Sequence, residues 1–412
     1  HPLTHLNTQT IVQYRTCLLE QNDFMHALDH KKACLLVLLD LSAAFATVTH
    51  AALLKTLEIE FGVKNTALKW FESYLTNRTQ KVSIGQHSSD AVHLTSGVPQ
   101  GSVLGPVLFT TYTSSLAPIL DHHSVQYNFY ADDTSLYLAF NISDINSAVK
   151  RMEDCIIDVK KWMTSKQLKM NDSKSDFIII APKQVLKNVS FKPDLKIGTV
   201  LLNSEESVKS LGVFIDQYIS METHIQNTCK ISYYHLCNIG RIRKFLTPES
   251  CEQLIHCFIT SRIDYCNALF YNLPNKLLKK LQVIQNCAAR ILTFTKRNEH
   301  ITPVLIDLHW LPVNFRIRFK ILLLVFKCLN GLAPQYLCDL LIPYAPQRSL
   351  RSVNHVLLTQ PVAHTSYLFR SFESCGPKLW NELPQEIRNC NSLIDFKRNL
   401  KTHLFIQSFV IA

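Results

Sequence analysis

No stretch of the 412-residue sequence approaches the roughly 18 uninterrupted apolar residues that a helix needs to cross a bilayer. The first residues, His1-Pro2-Leu3-Thr4-His5, also lack the basic and then apolar pattern of a secretory signal. These two absences predict an intracellular protein of the nucleus or cytoplasm, neither secreted nor partnered with a membrane. The sequence begins without an initiator Met, so we expect it to be a piece of a longer protein.

Internal repeats and low-complexity linkers are also missing from the sequence. Its 47% hydrophobic and 18% charged residues are typical of a globular chain, and its length allows roughly two to four domains. The 13 cysteines are an odd number, and their irregular intervals match no usual zinc-ligand spacing. Without a signal pattern, this favours reduced thiols over disulfide bonds.

The positive charge of the chain is concentrated in its later part. The formal net charge is +11, but residues 1–150 carry −3 and the remaining residues carry +14. An acidic first part followed by a basic remainder suggests metal-binding carboxylates first and a surface for a polyanion later.

Two strand patterns end in carboxylates. An apolar run over 35–39 leads directly into Asp40, which predicts a buried strand ending in an acid. Two alternating segments flank Asp132 and Asp133, which predicts a β-hairpin with both acids at its tip. Each Asp alone is ordinary turn chemistry. Two-metal phosphoryl transfer requires oxygen ligands on separate rigid elements that hold two ions about 3.5–4 Å apart. Together, the three Asp residues would supply such ligands.

Only 10 glycines occur, yet three of them, Gly97, Gly101 and Gly105, fall within nine residues. Such a concentration marks backbone that turns tightly or approaches another group closely. After it, the apolar stretch from Val107 to Leu120 predicts a helix that begins at Pro106. Residues 51–76 have helical spacing, and we predict that their inner face includes Leu53, Leu54, Leu57, Leu68, Trp70, Phe71 and Tyr74.

Further elements follow from the same patterns. We expect short strands at 81–84, 91–94, 177–180, 195–197 and 211–215, and a helix over 145–166. Beyond about residue 224 the pattern becomes almost wholly helical, most clearly over 275–292 and 315–329.

Three strings of the sequence occur in one order and together resemble the palm motifs of non-LTR retrotransposon (LINE) reverse transcriptases, especially the Jockey and chicken-repeat branches. They are Val37-Leu38-Leu39-Asp40-Leu41-Ser42-Ala43-Ala44-Phe45, Ser96-Gly97-Val98-Pro99-Gln100-Gly101-Ser102-Val103-Leu104-Gly105-Pro106 and Phe129-Tyr130-Ala131-Asp132-Asp133. Leu168-Lys169-Met170-Asn171-Asp172-Ser173-Lys174 is similar to the next palm motif, and Leu211-Gly212-Val213 to the strand that cradles the primer. Downstream strings such as His309-Trp310-Leu311-Pro312 are found in the same elements.

The resemblance implies an α+β fold, a right-hand polymerase with an antiparallel palm sheet, partial fingers, a helical thumb and a helical C-terminal extension. The corresponding boundaries are 1–223 for partial fingers and palm, 224–300 for the thumb and 301–412 for the extension. The implied activity is RNA-directed DNA synthesis on an RNA template and a DNA primer, with deoxynucleoside triphosphates as substrates. Two Mg²⁺ ions, with Mn²⁺ as the alternative, are the implied cofactors.

The resemblance also implies roles for individual residues. Asp40, Asp132 and Asp133 would hold the metal ions. Phe45 would exclude ribonucleotides by crowding the sugar 2′ position, although the sequence alone leaves a core aromatic equally open. Tyr130, Gln100 and Gly101 would lie beside the incoming nucleotide and template. Lys174 would have a catalytic role at the triphosphate, protonating the pyrophosphate leaving group, although the sequence alone leaves a solvated surface residue open.

Basic clusters in the later part of the chain would neutralise phosphates of the template–primer duplex. Predicted nucleic-acid-binding residues are Arg241, Arg243, Lys244, Lys279 and Lys280, and further clusters contain Lys276, Arg316, Arg318 and Lys320. For any single cluster, a solvated helix face is the alternative.

The sequence departs from the family pattern at Ala46 and Thr49, where relatives carry Asp and Asn or Asp, and residues 1–23 match the fingers poorly. We therefore expect a truncated copy whose palm folds and binds metal but whose processive synthesis is impaired. Two alternatives stay open. One is a decayed, inactive product that binds nucleic acid; the other is an RNA-templated RNA polymerase or an intron-encoded maturase.

Overall fold

The computed structural model describes residues 8–42, 44–99, 101–187, 193–345 and 357–409. The chain forms two compact units, Ala33–Val208 and a second unit in which His1–Lys32 joins Lys209–Ala412. This division follows packing, whereas the predicted boundaries after residues 223 and 300 divide the chain by polymerase role; those boundaries stay a prediction. Within the described residues, no helix is both long enough and apolar enough to span a bilayer.

The chain begins with helix α1 (Thr8–Asp29), which belongs to the second unit. The first unit then contains, in chain order, β1 (Ala33–Leu39), β2 (Leu41–Ser42), α2 (His50–Ile59), α3 (Asn65–Leu75), β3 (Thr79–Gln80), β4 (Ser83–Ile84), β5 (His87–Ser88), β6 (Val92–His93), α4 (Gly105–Thr113), α5 (Ala117–His122), β7 (Gln126–Tyr130), β8 (Asp133–Phe140), α6 (Ile145–Ser165), β9 (Lys169–Met170), β10 (Asp176–Ile180), α7 (Lys183–Lys187), β11 (Leu195–Ile197) and β12 (Val200–Leu202).

A four-stranded antiparallel sheet in the order β10-β1-β8-β7 organises the first unit. Strand β1 is central and almost wholly buried, which explains why its sequence is a continuous apolar run and not an alternating one. Helix α6 presents to this core a stripe at helical spacing, formed by Ala148, Val149, Met152, Cys155, Ile156, Val159 and Met163. The predicted antiparallel palm sheet and the α+β class are confirmed.

Two helix predictions in the first unit need correction. Residues 107–120 form two helices, because a 3₁₀ turn at Ser114–Leu116 separates α4 from α5, where Pro118 lacks an N–H for continuous helical bonding. Residues 51–76 also form two helices, separated at Gly62, whose φ is +66°. In α2 the predicted inner residues Leu53 and Leu57 are buried, but α3 buries only Leu75.

The second unit is almost wholly helical, as expected. After a hairpin of β13 (Ser207–Ser210) and β14 (Val213–Asp216), it contains α8 (Glu222–Ile242), α9 (Pro248–Ile255), α10 (Ser261–Asp264), α11 (Asn275–Thr293), α12 (Ile301–Asp307), α13 (Val313–Leu329), α14 (Gln335–Cys338), α15 (Phe372–Asn381), α16 (Gln385–Arg388) and α17 (Leu393–Phe409).

One hydrophobic core runs through the second unit. It joins Cys17 and Leu18 of α1 to α8 and α11, to the long apolar helix α13, and to α15 and α17 near the other end of the sequence. Phe326 of α13 and Phe396 of α17 stack with ring centroids 4.2 Å apart, and Trp380 lies 5.9 Å from Phe396. The segment after residue 300 is therefore part of the same core as the helices before it.

The strand predicted at 211–215 begins later than expected. Leu211 and Gly212 have φ values of +46° and +82° and form the turn of the hairpin, so that the strand starts at Val213. The carbonyl of Leu211 accepts a hydrogen bond from the Tyr265 hydroxyl, and a side chain at Gly212 would meet that ring at 3.4 Å. Glycine is favoured here because a φ of +82° is a backbone conformation that other residues adopt only with strain.

Candidate active site

Asp40 follows the central strand directly and is half-buried. Its carbonyl accepts a hydrogen bond from the backbone N–H of Asn171 at 2.8 Å, and the adjoining Leu41 pairs with Met170. The backbone on both sides of Asp40 is thus fixed by paired strands. A carboxylate placed in this way keeps a defined position without depending on a loop.

The predicted hairpin with acids at its tip is confirmed. Tyr130 pairs with Asp133 across β7 and β8, so the turn consists of Ala131 and Asp132, with Ala131 at a φ of +54°. Such a two-residue turn holds Asp132 at the apex and makes Asp133 the first residue of β8.

The register of the sheet brings the acids to one end. Leu39 of β1 pairs with Thr134 of β8. Asp40 and Asp133 are the next residues along these two antiparallel strands, so they are cross-strand neighbours, and Asp132 follows in the turn. Asp40 and Asp132 are half-buried, whereas Asp133 is exposed.

The three carboxylates share one electrostatic environment. Local desolvation raises the pKa of Asp133, and the negative charges of Asp132 and Asp40 raise it further, although the residue as a whole is exposed. Burial also raises the pKa of Asp176, as do the charges of Glu205 and Asp40. Carboxylates that repel one another in this way create a site at which a cation relieves the repulsion.

The acids converge without forming a closed cage. Among the residues described by the structure, no group of three or more His, Cys, Asp or Glu side chains is gathered closely enough to hold a metal ion. Mg²⁺ usually takes one or two protein carboxylates and completes its octahedral shell with substrate phosphates and water. An open set of carboxylates fits that ion better than a structural metal such as zinc.

The loop after Asp40 is pinned to the glycine-rich segment. Val98 N donates to Phe45 O and Gly97 N to Val48 O, both at 2.8 Å, and Ser96 Oγ donates to Ala46 O at 3.2 Å. Ala46 is exposed and participates through its backbone. The departure from Asp at position 46 therefore leaves these backbone hydrogen bonds in place beneath Asp40.

Gly97 is the position in this segment where glycine is required. Its φ is +96°, and a Cβ there would lie 3.1–3.3 Å from backbone atoms of Ala46 and Phe45. Farther along, Ser102 Oγ donates to Pro99 O at 2.7 Å and accepts from Gly105 N at 3.0 Å. The concentration of glycine thus marks a close approach of two backbone segments, as predicted.

The other predicted substrate residues lie around these elements. Phe45 is half-buried, with its ring 5.1 Å from that of Phe109. Tyr130 is half-buried at the end of β7, and Lys174 is exposed in the turn before β10. Gly101 has a φ of +81° with open space where a Cβ would stand. Gln100 lies outside the described residues.

Arg243 differs from its predicted role. It is buried, and its guanidinium donates to three carbonyls, those of Ile291, Leu246 and Leu292, at 2.8–3.0 Å. The same group lies 4.2 Å from the centroid of the Phe294 ring. We assign Arg243 to the packing of the end of α11, because its guanidinium is buried and each of its three nitrogens donates to a backbone carbonyl.

Some of the other basic residues are exposed, and others are buried or lie close to an acidic side chain. Arg241, Lys244, Lys276 and Lys279 are exposed, whereas Lys280 lies 3.9 Å from Glu222. Arg316 is buried in a bidentate pair with Asp264, and burial lowers the pKa of the nearby Lys320. The cluster around Arg316 therefore contributes to the interior of the helical unit, contrary to expectation.

Sequence reasoning missed Asp176 as a neighbour of the site. Asp176 pairs with Leu38 across β1 and β10. Burial, the charge of Glu205 and the charge of Asp40 all raise the pKa of its carboxylate. The signal was available as an acid at the start of a predicted strand, but its proximity to Asp40 depends on β10 pairing with β1.

Comparison with known proteins identifies the family to which the chain belongs. Residues 3–215, just over half of it, match the reverse transcriptase (RNA-dependent DNA polymerase) family. Two relatives in Drosophila melanogaster are the "Probable RNA-directed DNA polymerase from transposon BS", 25% identical over 278 residues, and the "RNA-directed DNA polymerase from mobile element jockey", 24% identical over 275 residues. These alignments cover 65% and 64% of this chain but only 30% and 29% of the relatives.

Among solved structures, apo telomerase from Candida Tropicalis aligns with 74% of this chain and 50% of its own, at 11% identity and a TM-score of 0.37. That superposition is too loose to support any residue correspondence. The sequence relatives and the family match, taken with the antiparallel sheet that carries Asp40 and Asp132, confirm the resemblance noted in the motifs. The chain belongs to the reverse transcriptase family, in its LINE-type branch.

Proposed function

We propose that this chain is the RNA-directed DNA polymerase core of a LINE-type retrotransposon and adds deoxynucleotides to a primer 3′-hydroxyl. The observation that carries the proposal is the sheet register, which makes Asp40 and Asp133 cross-strand neighbours with Asp132 in the adjoining turn. The chain spans about 30% of the relatives it matches, so the activity of this part rests on its own residues.

Asp40, Asp132 and Asp133 are the residues that would hold two Mg²⁺ ions, or Mn²⁺ in their place. Bound there, the metal ions would lower the pKa of the attacking hydroxyl and stabilise charge on the transferring phosphate. Desolvation, and then the negative charges of Asp132 and Asp40, raise the pKa of Asp133; this supports the assignment, since a bound cation would offset that repulsion. Asp176 would add negative charge without being required as a ligand.

The remaining residues would position the substrates. Phe45, fixed against Phe109 and held by its carbonyl to Val98, would crowd the 2′ position of an incoming ribonucleotide. Lys174 would face the triphosphate, and Gln100, Gly101 and Tyr130 would lie beside the nucleotide and template. Arg241, Lys244 and Lys279 remain candidates for phosphates of the duplex because they are exposed.

Primer extension tests the proposal directly. A labelled primer on an RNA template, with deoxynucleotides and Mg²⁺, should be extended by the chain, and Asp132→Ala should lower the rate by at least roughly a hundredfold. Asp307→Ala, an exposed acid in the other unit, is the matched control and should leave the rate unchanged. Equal extension by the wild type and Asp132→Ala would remove Asp132 from the site.

A second measurement is independent of turnover. Mg²⁺ should raise the melting temperature of the wild type and of Asp307→Ala, but much less that of Asp132→Ala, because only an intact set of acids binds the ion. The alternative function is a product that binds nucleic acid without catalysis, favoured by the exposed cations of the helical unit. Salt-sensitive binding that persists without Mg²⁺, together with no extension and no Mg²⁺ stabilisation, would establish that alternative.

A further inference from the structure

Helix α3 carries an exposed aromatic residue that the fold does not use. Trp70 was expected on the inner face, yet it is 53% exposed, and Leu75 is the buried residue of α3. The residues predicted beside it, Leu68, Phe71 and Tyr74, are only partly buried. The apolar spacing of α3 therefore does not describe a core-facing stripe, and Trp70 contributes little to the stability of the unit.

Trp70 is instead the first member of a stacked row. Its ring lies 5.6 Å from that of Tyr74 with only 9° between the planes, and the Arg78 guanidinium lies 5.2 Å from the Tyr74 centroid. Arg78 Nη1 also donates to Tyr74 O at 3.2 Å. Trp70 and Tyr74 are four apart on α3 and so lie on one face, and Arg78, beyond the end of the helix, is held to Tyr74 by these contacts. We call Trp70, Tyr74 and Arg78 the stacking row.

The surroundings of the stacking row are basic and open. A cleft of about 900 Å³ beside it is lined by Tyr74, Arg78, Lys69, Ser73, Asn77 and Glu72, among others. Residues 64–81 contain four of the nine cations found in residues 1–150, and Glu72 is their only acid. Lys64, Lys69 and Lys81 are exposed. This local positive charge stands out in an otherwise acidic part of the chain.

We propose that the stacking row and its lysines bind single-stranded RNA, with a base stacked on Trp70 and phosphates near Lys69 and Lys81. Exposed aromatic rings with interleaved cations are what unpaired nucleic acid recognises, because its bases offer free faces and its backbone is anionic. A duplex hides those faces. The choice of RNA rests on the proposed function, in which the template is the unpaired strand. The existence of a site for unpaired nucleic acid does not depend on that function.

A neighbouring apolar surface defines the competing occupant. Val82, Ile84 and Val92, on or beside the two short hairpins β3–β6 and β4–β5, are also exposed. A protein partner would be expected to use these residues. Charge decides between the two, since Lys69 and Arg78 line the cleft beside the row and Glu72 is the one acid among its lining residues, whereas an apolar protein surface gains nothing from these cations.

Fluorescence anisotropy with a labelled oligo(U) strand, in EDTA and without nucleotides, tests the site on the full chain. Trp70→Ala should weaken binding roughly five- to a hundredfold, as expected for the loss of one stacked base. Phe61→Ala is the matched control, because Phe61 is a comparably exposed aromatic outside the row. It should bind like the wild type, as should Asp132→Ala, which separates this site from the active site.

Three outcomes would overturn the proposal. Trp70→Ala could bind oligo(U) as tightly as the wild type. It could weaken binding to a blunt duplex as much as binding to oligo(U), or it could weaken binding to oligo(dT) alone. A change in oligomeric state with unchanged oligo(U) binding would instead assign the surface to self-association. Tyr74→Leu provides a second variant, and thermal melts of both variants check that a loss of binding does not come from unfolding. Failure of primer extension alone leaves this result intact.

Discussion

Asp29 and Thr365 are 336 residues apart in sequence, yet the backbone N–H and the hydroxyl of Thr365 donate to Asp29 Oδ1 at 2.6 and 2.7 Å. The N–H of His364 donates to both oxygens at 3.1 and 3.2 Å. Asp29 ends helix α1 and is buried. Its carboxylate thus ties the first helix to the chain that precedes α15.

Asp29→Asn should destabilise the protein by about 1–3 kcal/mol, because charge-assisted bonds are lost and a donor replaces an acceptor beside two N–H groups. Urea unfolding measures this change. Asp307→Ala, an exposed acid of the same unit, should change the free energy of unfolding by less than about 0.5 kcal/mol. Equal stability of Asp29→Asn and the wild type would show that the link contributes nothing.

The same carboxylate predicts a pH dependence. Burial by itself would raise the pKa of Asp29, but the hydroxyl of Thr365 and the backbone donors of His364 and Thr365 outweigh it and lower the pKa from 3.8. The stabilisation is therefore complete above that value and is lost as pH falls through the lower folded pKa. The stability difference between the wild type and Asp29→Asn should shrink in that acid range, measured by urea unfolding at each pH.

Arg316 and Asp264 form a buried bidentate ion pair that should respond differently to single and double replacement. Arg316→Met alone leaves a buried carboxylate unpaired and should cost about 3–5 kcal/mol. Combining it with Asp264→Leu should recover most of that loss, because no unpaired charge then remains. A double variant as unstable as the single one would show that the hydrogen bond of Asp264 with Asn267, and not its charge, matters more.

Arg241 and Arg243 are two residues apart and should have opposite phenotypes. Arg241→Ala removes an exposed charge, so it should weaken duplex binding and lower the slope of log K against log salt by about 1, with stability unchanged. Arg243→Ala leaves three carbonyls, one of them buried, without their donor and should lower the free energy of unfolding by about 2–4 kcal/mol. Salt titrations and urea melts of both variants measure the contrast, and identical behaviour of the two would contradict it.

Gly97→Ala should damage the loop beneath Asp40. Backbone strain at a φ of +96° adds to contacts of 3.1–3.3 Å with Ala46 and Phe45, so we expect a loss of at least about 2 kcal/mol and reduced primer extension. Gly85→Ala is matched in chemistry but has open space around it and a φ of +61°. It should cost about 1 kcal/mol and leave extension intact. Unimpaired extension by Gly97→Ala would refute the close approach.

Phe45→Val tests the sugar preference. If Phe45 crowds the 2′ position, the variant should incorporate ribonucleotides on the order of tenfold more readily relative to deoxynucleotides. Single-nucleotide incorporation with each triphosphate measures the ratio, and Phe61→Val, a distant exposed aromatic, should not change it. If the wild type itself incorporates ribonucleotides readily, the alternative of an RNA-templated RNA polymerase gains support.

Local patterns predicted the palm well because each element there is determined by its own sequence. The buried run into Asp40, the alternation around Asp132 and Asp133, and the glycines near Gly97 are all short-range signals, and the strands and the hairpin lie where those signals indicated. The roles of the acids, and those of Phe45 and Lys174, came from the resemblance and stay predictions.

The errors share one physical cause, the absence of tertiary information. A linear cluster of cations does not reveal that Arg243 and Arg316 turn inward, because burial of a guanidinium depends on distant carbonyls or on Asp264. Helical spacing likewise placed Trp70 inside, although its side chain is more than half exposed. The link between Asp29 and Thr365 has no sequence signal at all.

The core that joins α1 to the distal helices has a consequence for biosynthesis. Residues 8–29 leave the ribosome several hundred residues before their packing partner α15. The intervening unit, residues 33–208, makes its sheet from its own strands and can fold on the nascent chain. Until the distal helices have been synthesised, Cys17 and Leu18 of α1 have no complete core to enter. Closing this long loop carries an entropic cost, so α1 is expected to reach its final packing only after the distal helices have been synthesised.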